Sequence, residues 1–194
     1  MYRRACYCLG QYDFKEGTPT EACHKEYKAA LGEACAMYNW TFTARYAELK
    51  RVSGAACEAL GKALYKLPAD CMKVVQFVRE DGSEVSAPEL CADGVLVPLE
   101  EAGGKIVVRY HCDLLGDVNV LNESRTVLFV EGLVKLLASK VSMVVTSNAQ
   151  LGMTLEAQAR DYFYRAITED RQQDWSNAVD PEVIRKRNRK TYLS

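Results

Sequence analysis

Eight cysteines, at positions 6, 8, 23, 35, 57, 71, 91 and 112, and two histidines, His24 and His111, are the side chains best suited to metal binding or nucleophilic chemistry. Their spacing serves neither well. A structural zinc site draws on ligand pairs two to four residues apart, twice over. Only Cys6 and Cys8 come that close, while Cys23-His24 and His111-Cys112 are adjacent pairs that chelate one ion poorly. An even cysteine count suggests disulfides in an exported chain. Here Met1-Tyr-Arg-Arg-Ala-Cys leads into no uninterrupted apolar segment, so the expectation is a protein used in the cytoplasm. The thiols are expected reduced and mostly buried in small apolar positions. His111, Cys112 and Asp113 name the members of a nucleophilic triad, yet consecutive strand residues point to alternating faces. His111 is therefore expected to make ordinary hydrogen bonds. The chain has no Gly-x-Ser-x-Gly elbow, phosphate-cradling glycine loop or His-Glu-x-x-His pair. The residues thus give little to assemble into a catalytic site, and no metal site is expected.

Charge offers two further leads. Asp161, Glu169 and Asp170 fall on one helical segment and read as a solvated face, with ion pairs to a neighbouring subunit as the functional alternative. Arg185, Lys186, Arg187, Arg189 and Lys190 make a basic tail that ends near Tyr192. Such a tail fits salt-dependent, sequence-blind nucleic-acid contact, a solvated terminus, or docking onto an acidic partner. Aromatic residues are not interleaved with the cations, so base stacking is not indicated. Over the whole chain the formal net charge is only -1, with 48% hydrophobic and 26% charged residues. That balance gives no global attraction to nucleic acid or membrane. The apolar run from Thr126 to Val145 has the length of a membrane span but carries Glu131, Lys135 and Lys140. Each charge costs ~2.5 kcal/mol or more at a bilayer centre, so a buried helix is expected and no membrane partner.

The elements that position these residues follow from periodicity. Residues 3–10, RRACYCLG, read as a short helix ended by Gly10. Thr18-Pro19-Thr20-Glu21 announces a second helix with Thr18 as N-cap. Cys23, Tyr27, Ala30, Leu31, Ala34 and Met37 form its apolar face, and it gives way at Asn39. Further short helices are expected from Ala44 to Leu49 and from Ala55 to Tyr65. Leu67-Pro68-Ala69-Asp70 then stops the helical run, because proline cannot continue it. Leu67 is expected to anchor that corner in the core and Asp70 to cap a turn. Residues 73–80, 94–99 and 105–111 read as strands of one antiparallel sheet of three to five strands, with Asp81-Gly82-Ser83 as a hairpin turn. Pro98 either ends its strand or places it at an edge. Two long helices follow, at 123–146 and 148–175, the second with Leu155, Ala159, Tyr162, Phe163, Ala166 and Ile167 on its apolar face. The expected class is α+β: a helical bundle with an inserted small antiparallel β-sheet and an extended C-terminal tail. Its parts are N-terminal helices at 1–66, a β-rich lobe at 67–115, two long helices at 116–178 and the basic tail at 179–194.

The order of these features carries a resemblance. A short helix ending in Leu9-Gly10 comes first, and a helix leading into Trp40-Thr41-Phe42 follows. Next are the switch at Tyr65, Leu67, Pro68 and Asp70, a strand with Ile106, Val108 and Tyr110, and a closing helix with Ala166 to Asp170. Together, across roughly residues 3 to 175, the series resembles the head-to-tail adaptors of short-tailed phages, the tail tubular protein A-like group. Cysteine richness and the Cys91-Ala-Asp-Gly94 segment depart from that pattern. The resemblance implies a structural virion protein of the tail, not an enzyme and with no cofactor, assembled in host cytoplasm or encoded by a prophage. About twelve copies would ring the portal protein, prolong its channel and carry the tail nozzle protein, with DNA passing through unread. It also makes Arg185, Lys186, Arg187, Arg189, Lys190 and Tyr192 candidates for contact with the portal or a neighbouring subunit. Tyr65, Leu67, Pro68, Asp70, Trp40 and Phe42 become the structural seam between bundle and sheet. A head-completion or connector protein of a long-tailed phage, a nucleic-acid-binding module acting through its tail, and an enzyme with a Cys-His site at 111 and 112 are the alternatives.

Overall fold

In the computed structural model, residues 1–10, 18–52, 57, 59–116 and 119–178 are described. The chain divides into two compact units, one of Met1–Phe42 with Asp117–Ser194 and one of Thr43–Gly116. The class is α+β.

The first unit is helical: α1 (Tyr2–Cys8), α2 (Thr18–Ala36), α3 (Val127–Thr146) and α4 (Ala149–Ala178). Helix α1 stops where Gly10 takes a positive φ of 72° and the Leu9 and Gly10 amides turn back to the carbonyls of Cys6 and Tyr7. Helix α2 buries Cys23, Ala30, Leu31 and Ala34, small or compact residues that let a neighbouring helix approach closely. Met37, assigned above to that face, lies past the last helical residue and is 43% exposed. The central helix is α3, packed against α1, α2 and α4. Its buried residues include Phe129, Gly132, Leu133, Leu136, Leu137 and Val141. A left-handed Ser147 ends it, and the Asn148 carboxamide accepts the Leu151 amide at 2.9 Å to cap α4. Along α4, Gly152, Leu155, Ala159, Phe163, Ala166 and Asp170 are buried at three- and four-residue spacings, a single stripe facing the bundle. Among the described residues no helix is long and apolar enough to cross a membrane.

The second unit is built of strands. In chain order they are β1 (Ala44–Glu48), β2 (Lys50–Val52), β3 (Lys62–Lys66), β4 (Cys71–Arg79), β5 (Glu89–Cys91), β6 (Gly94–Pro98) and β7 (Ile106–Cys112). They form two antiparallel sheets, β1–β7–β4 and β2–β3–β6–β5, where one was expected. Two expectations are corrected here. Residues 44–48 are strand β1, registered against Val107 to His111, and Lys62–Lys66 is strand β3, registered against Val95 to Pro98. Alanine, leucine, glutamate and lysine in these segments favour helix locally, but the partner strands bury Ala63 and Tyr65 and override that preference. The β-rich unit therefore begins at Thr43, taking in residues assigned above to the helices. Asp81-Gly82-Ser83 does turn the chain, with Gly82 at φ 84° and the Asp81 carboxylate accepting the Ser83 amide and hydroxyl at 2.8 and 2.6 Å. The return strand is only a bridge from Glu84 to Val78. Pro98 ends β6, which lies inside its sheet.

Candidate functional site

Two clusters, one in each unit, gather residues that carried the resemblance. In the helical unit, α2 ends at Ala36 and the chain bends through Tyr38 to Trp40. The Trp40 indole N–H donates to the Ala34 carbonyl at 2.9 Å, which satisfies its one polar atom inside the core. Trp40 stacks on Phe42 with centroids 5.4 Å apart, and Phe129 from α3 meets them edge-on at 5.0 and 5.1 Å. Phe163 from α4 closes the cluster 5.8 Å from Phe129. All four rings are fully or almost fully buried. Gly132 makes room for the last of them, since a Cβ there would lie 2.8 Å from the Phe163 ring.

Between the two aromatic residues stands Thr41, and it binds Asp170. One carboxylate oxygen accepts the Thr41 hydroxyl at 2.6 Å, and the other accepts its amide at 3.0 Å. Asp170 is buried, which corrects the reading of 161, 169 and 170 as one solvated face; Asp161 and Glu169 are exposed. The spacing held the signal. Asp170 lies four residues after Ala166 and seven after Phe163, on the apolar stripe, and a carboxylate there has to be paired by neighbouring donors. Next to it, the Arg171 guanidinium covers the Tyr38 ring, 5.5 Å from its centroid.

The second cluster surrounds Tyr65 to Asp70. No helix enters it. Strand β3 of one sheet leads in and β4 of the other leads out, so Leu67-Pro68-Ala69-Asp70 is a crossing between sheets. Tyr65 is the buried anchor, its phenol donating to the Ala102 carbonyl at 3.1 Å, whereas Leu67 is only half-buried. Asp70 caps no turn with its side chain. Its carboxylate accepts the Tyr110 phenol of β7 at 3.1 Å, and its carbonyl accepts the Asp113 amide at 2.7 Å. Burial, then the Asp70 charge, pushes the Tyr110 phenol up to about 12. Gly94 is required opposite: its φ is 151°, and a Cβ there would lie 2.1 Å from the Tyr65 carbonyl oxygen.

The nucleophile candidates do not converge. All eight cysteines are free; Cys6, Cys23 and Cys112 are buried, Cys91 is exposed and the others lie between, so burial is less general than expected. The Cys6 and Cys23 sulfurs are 3.9 Å apart, and burial raises the Cys23 thiol well above its usual range. His111 Nδ1 lies 2.8 Å from the Thr43 hydroxyl, on the strand face opposite buried Cys112. Among the described residues no cluster of three or more histidine, cysteine or acidic side chains is placed to hold a metal ion. A surface cleft of about 360 Å³, lined by Tyr27, Leu121, Val127 and Val130, is crossed by an Arg4–Glu131 ion pair. Arg185, Lys186, Arg187, Arg189, Lys190 and Tyr192 lie outside the described residues. The chain matches no protein-family model and no curated protein.

Proposed function

We propose that the protein is a head-to-tail adaptor of a short-tailed phage, a structural component and not an enzyme. Copies of it ring the portal protein, extend the DNA channel and carry the tail nozzle protein. The observation that carries this reading is the ordered series of features from residue 3 to residue 175. Two of its most distant members support it further: Trp40-Thr41-Phe42 and the Ala166–Asp170 segment are bonded to each other, although 129 positions separate Thr41 from Asp170.

The chemistry agrees with a conduit. A net charge of -1 gives DNA little reason to linger in a channel formed by such subunits. The basic tail is the segment proposed to reach the portal. Co-sedimentation of the protein with portal rings tests this. Full-length protein is expected to travel with the portal, and a chain lacking residues 182–194 is expected to lose most of that binding. Retention of duplex DNA by the same tail, falling steeply with salt and without portal binding, would instead assign it to nucleic acid.

A further inference from the structure

Cys71 and Cys112 are direct cross-strand partners in the ladder between β4 and β7. The backbone bonds around them fix the kind of pairing. The Asp113 amide donates to the Asp70 carbonyl at 2.7 Å, one step outside the pair. The Cys71 amide turns away from β7, to the Pro68 carbonyl at 3.1 Å. The two cysteines therefore form a non-hydrogen-bonded pair, with α-carbons about 4.5 Å apart and both side chains on one face. A disulfide spans α-carbons from about 4.4 to 6.8 Å apart, so this pair can be bonded with little backbone movement. Both are thiols in this structure. Tyr110 stands two residues before Cys112 on the same strand face. Burial, Asp70 and then Cys112 and Cys71 raise its phenol to about 12, which agrees with both sulfurs lying near one hydroxyl.

Reach alone does not decide which thiols react. The Cys6 and Cys23 sulfurs are 3.9 Å apart, yet both residues are sealed, at 2% and 0% exposure. Cys71 is half-buried at the first position of β4, and Cys112 lies across the ladder at 3% exposure. One accessible thiol beside one shielded thiol suits thiol–disulfide exchange, in which the first meets the reagent and the second resolves the product. Burial, then the Asp70 charge, holds the Cys71 thiol above its ordinary range. Its thiolate is scarce at neutral pH, so the exchange is slow.

We propose that Cys71 and Cys112 are a redox site that a small-molecule disulfide, such as oxidised glutathione, converts into a cross-strand bond. Cys71 gives its proton to water and its thiolate attacks one sulfur of the glutathione disulfide. That S–S bond breaks, and one glutathione leaves and is protonated by water. Cys112 then gives its proton to water and its sulfur attacks Cys71. The mixed S–S bond breaks and the second glutathione leaves as a thiol. Two protein thiols are oxidised, and one disulfide is reduced to two thiols. The new bond pins the first residue of β4 to the last residue of β7 and closes the segment that spans strands β4 to β7. Closing so long a segment removes freedom from the unfolded chain, so the joined form resists unfolding. Neither cysteine belongs to the series that resembles the adaptors, so this site stands or falls apart from that reading.

The test incubates the reduced full-length protein with oxidised glutathione, caps the remaining thiols in denaturant and maps tryptic peptides by mass spectrometry with and without reduction. Peptides 67–73 and 110–125 are expected joined to each other, while Cys6 and Cys23 are recovered as capped thiols. Cys112→Ala is expected to trap glutathione on Cys71, and Cys71→Ala to leave Cys112 reduced. The joined form should unfold at a higher urea midpoint than the reduced form, and dithiothreitol should restore the lower one. Cys71 and Cys112 both still reduced after exposed Cys91 has reacted would overturn the proposal. So would glutathione retained on Cys71 while Cys112 is present, a bond from either residue to a different cysteine, or a Cys6–Cys23 bond that forms first. A joined form no harder to unfold than the reduced one would also overturn it. None of these results touches portal binding, which tests the adaptor reading separately.

Discussion

Asp170 and Thr41 concentrate the account at the scale of single residues. A buried carboxylate that accepts an amide and a hydroxyl holds the Trp40–Phe42 segment against α4. Asp170→Ala leaves both donors without an acceptor and is expected to cost about 2 kcal/mol in urea unfolding. Exposed Glu169→Ala, one residue away, should change stability by less than about 0.5 kcal/mol. Equal effects would mean that Asp170 is not the anchor. Gly132→Ala drives a methyl group into the Phe163 ring and should cost about 1–3 kcal/mol. The alkaline limb tests Tyr110. Its folded-state pKa of about 12 exceeds the ordinary value of 10, so the folded state holds the proton where the unfolded chain has lost it. The stabilisation is complete below pH 10 and is lost as pH rises from about 10 to 12. Tyr110→Phe should flatten the stability profile in that window and leave it unchanged at pH 7 apart from the lost hydrogen bond. An unaltered profile would contradict the assignment.

Among the elements, the crossing between sheets is the most constrained. Gly94→Ala puts a Cβ against the Tyr65 carbonyl at an unfavourable φ and should lower stability by about 3 kcal/mol or more, read as a fall in the urea midpoint. The same residues show what was legible from sequence. Both long helices and strands β4, β6 and β7 were readable, because their apolar residues recur with clear periods of 3.6 or 2, whereas the three-residue, fully exposed β5 carried no such signal. The stretch from Ala44 to Lys66 was not, since its alanine, leucine and glutamate suit a helix until β7 and β6 supply partners. Pro68 was rightly a boundary, but its two sides are strands of different sheets. Of the site, the burial of Trp40, Phe42 and Tyr65 could be anticipated from residue type. The Thr41–Asp170 bond depended on a contact across 129 positions that no local pattern reports.

At the scale of the whole molecule, the chain divides into two compact units. The helical unit is built on one central helix and an aromatic cluster, and the β-rich unit on two antiparallel sheets. The most direct measurement is electron microscopy of the full-length protein mixed with the portal of the phage that encodes it. The account predicts a ring of adaptor copies capping the portal and continuing its channel, with the copies in side-by-side heterologous contact. Portal particles that remain bare at saturating adaptor concentration would contradict it.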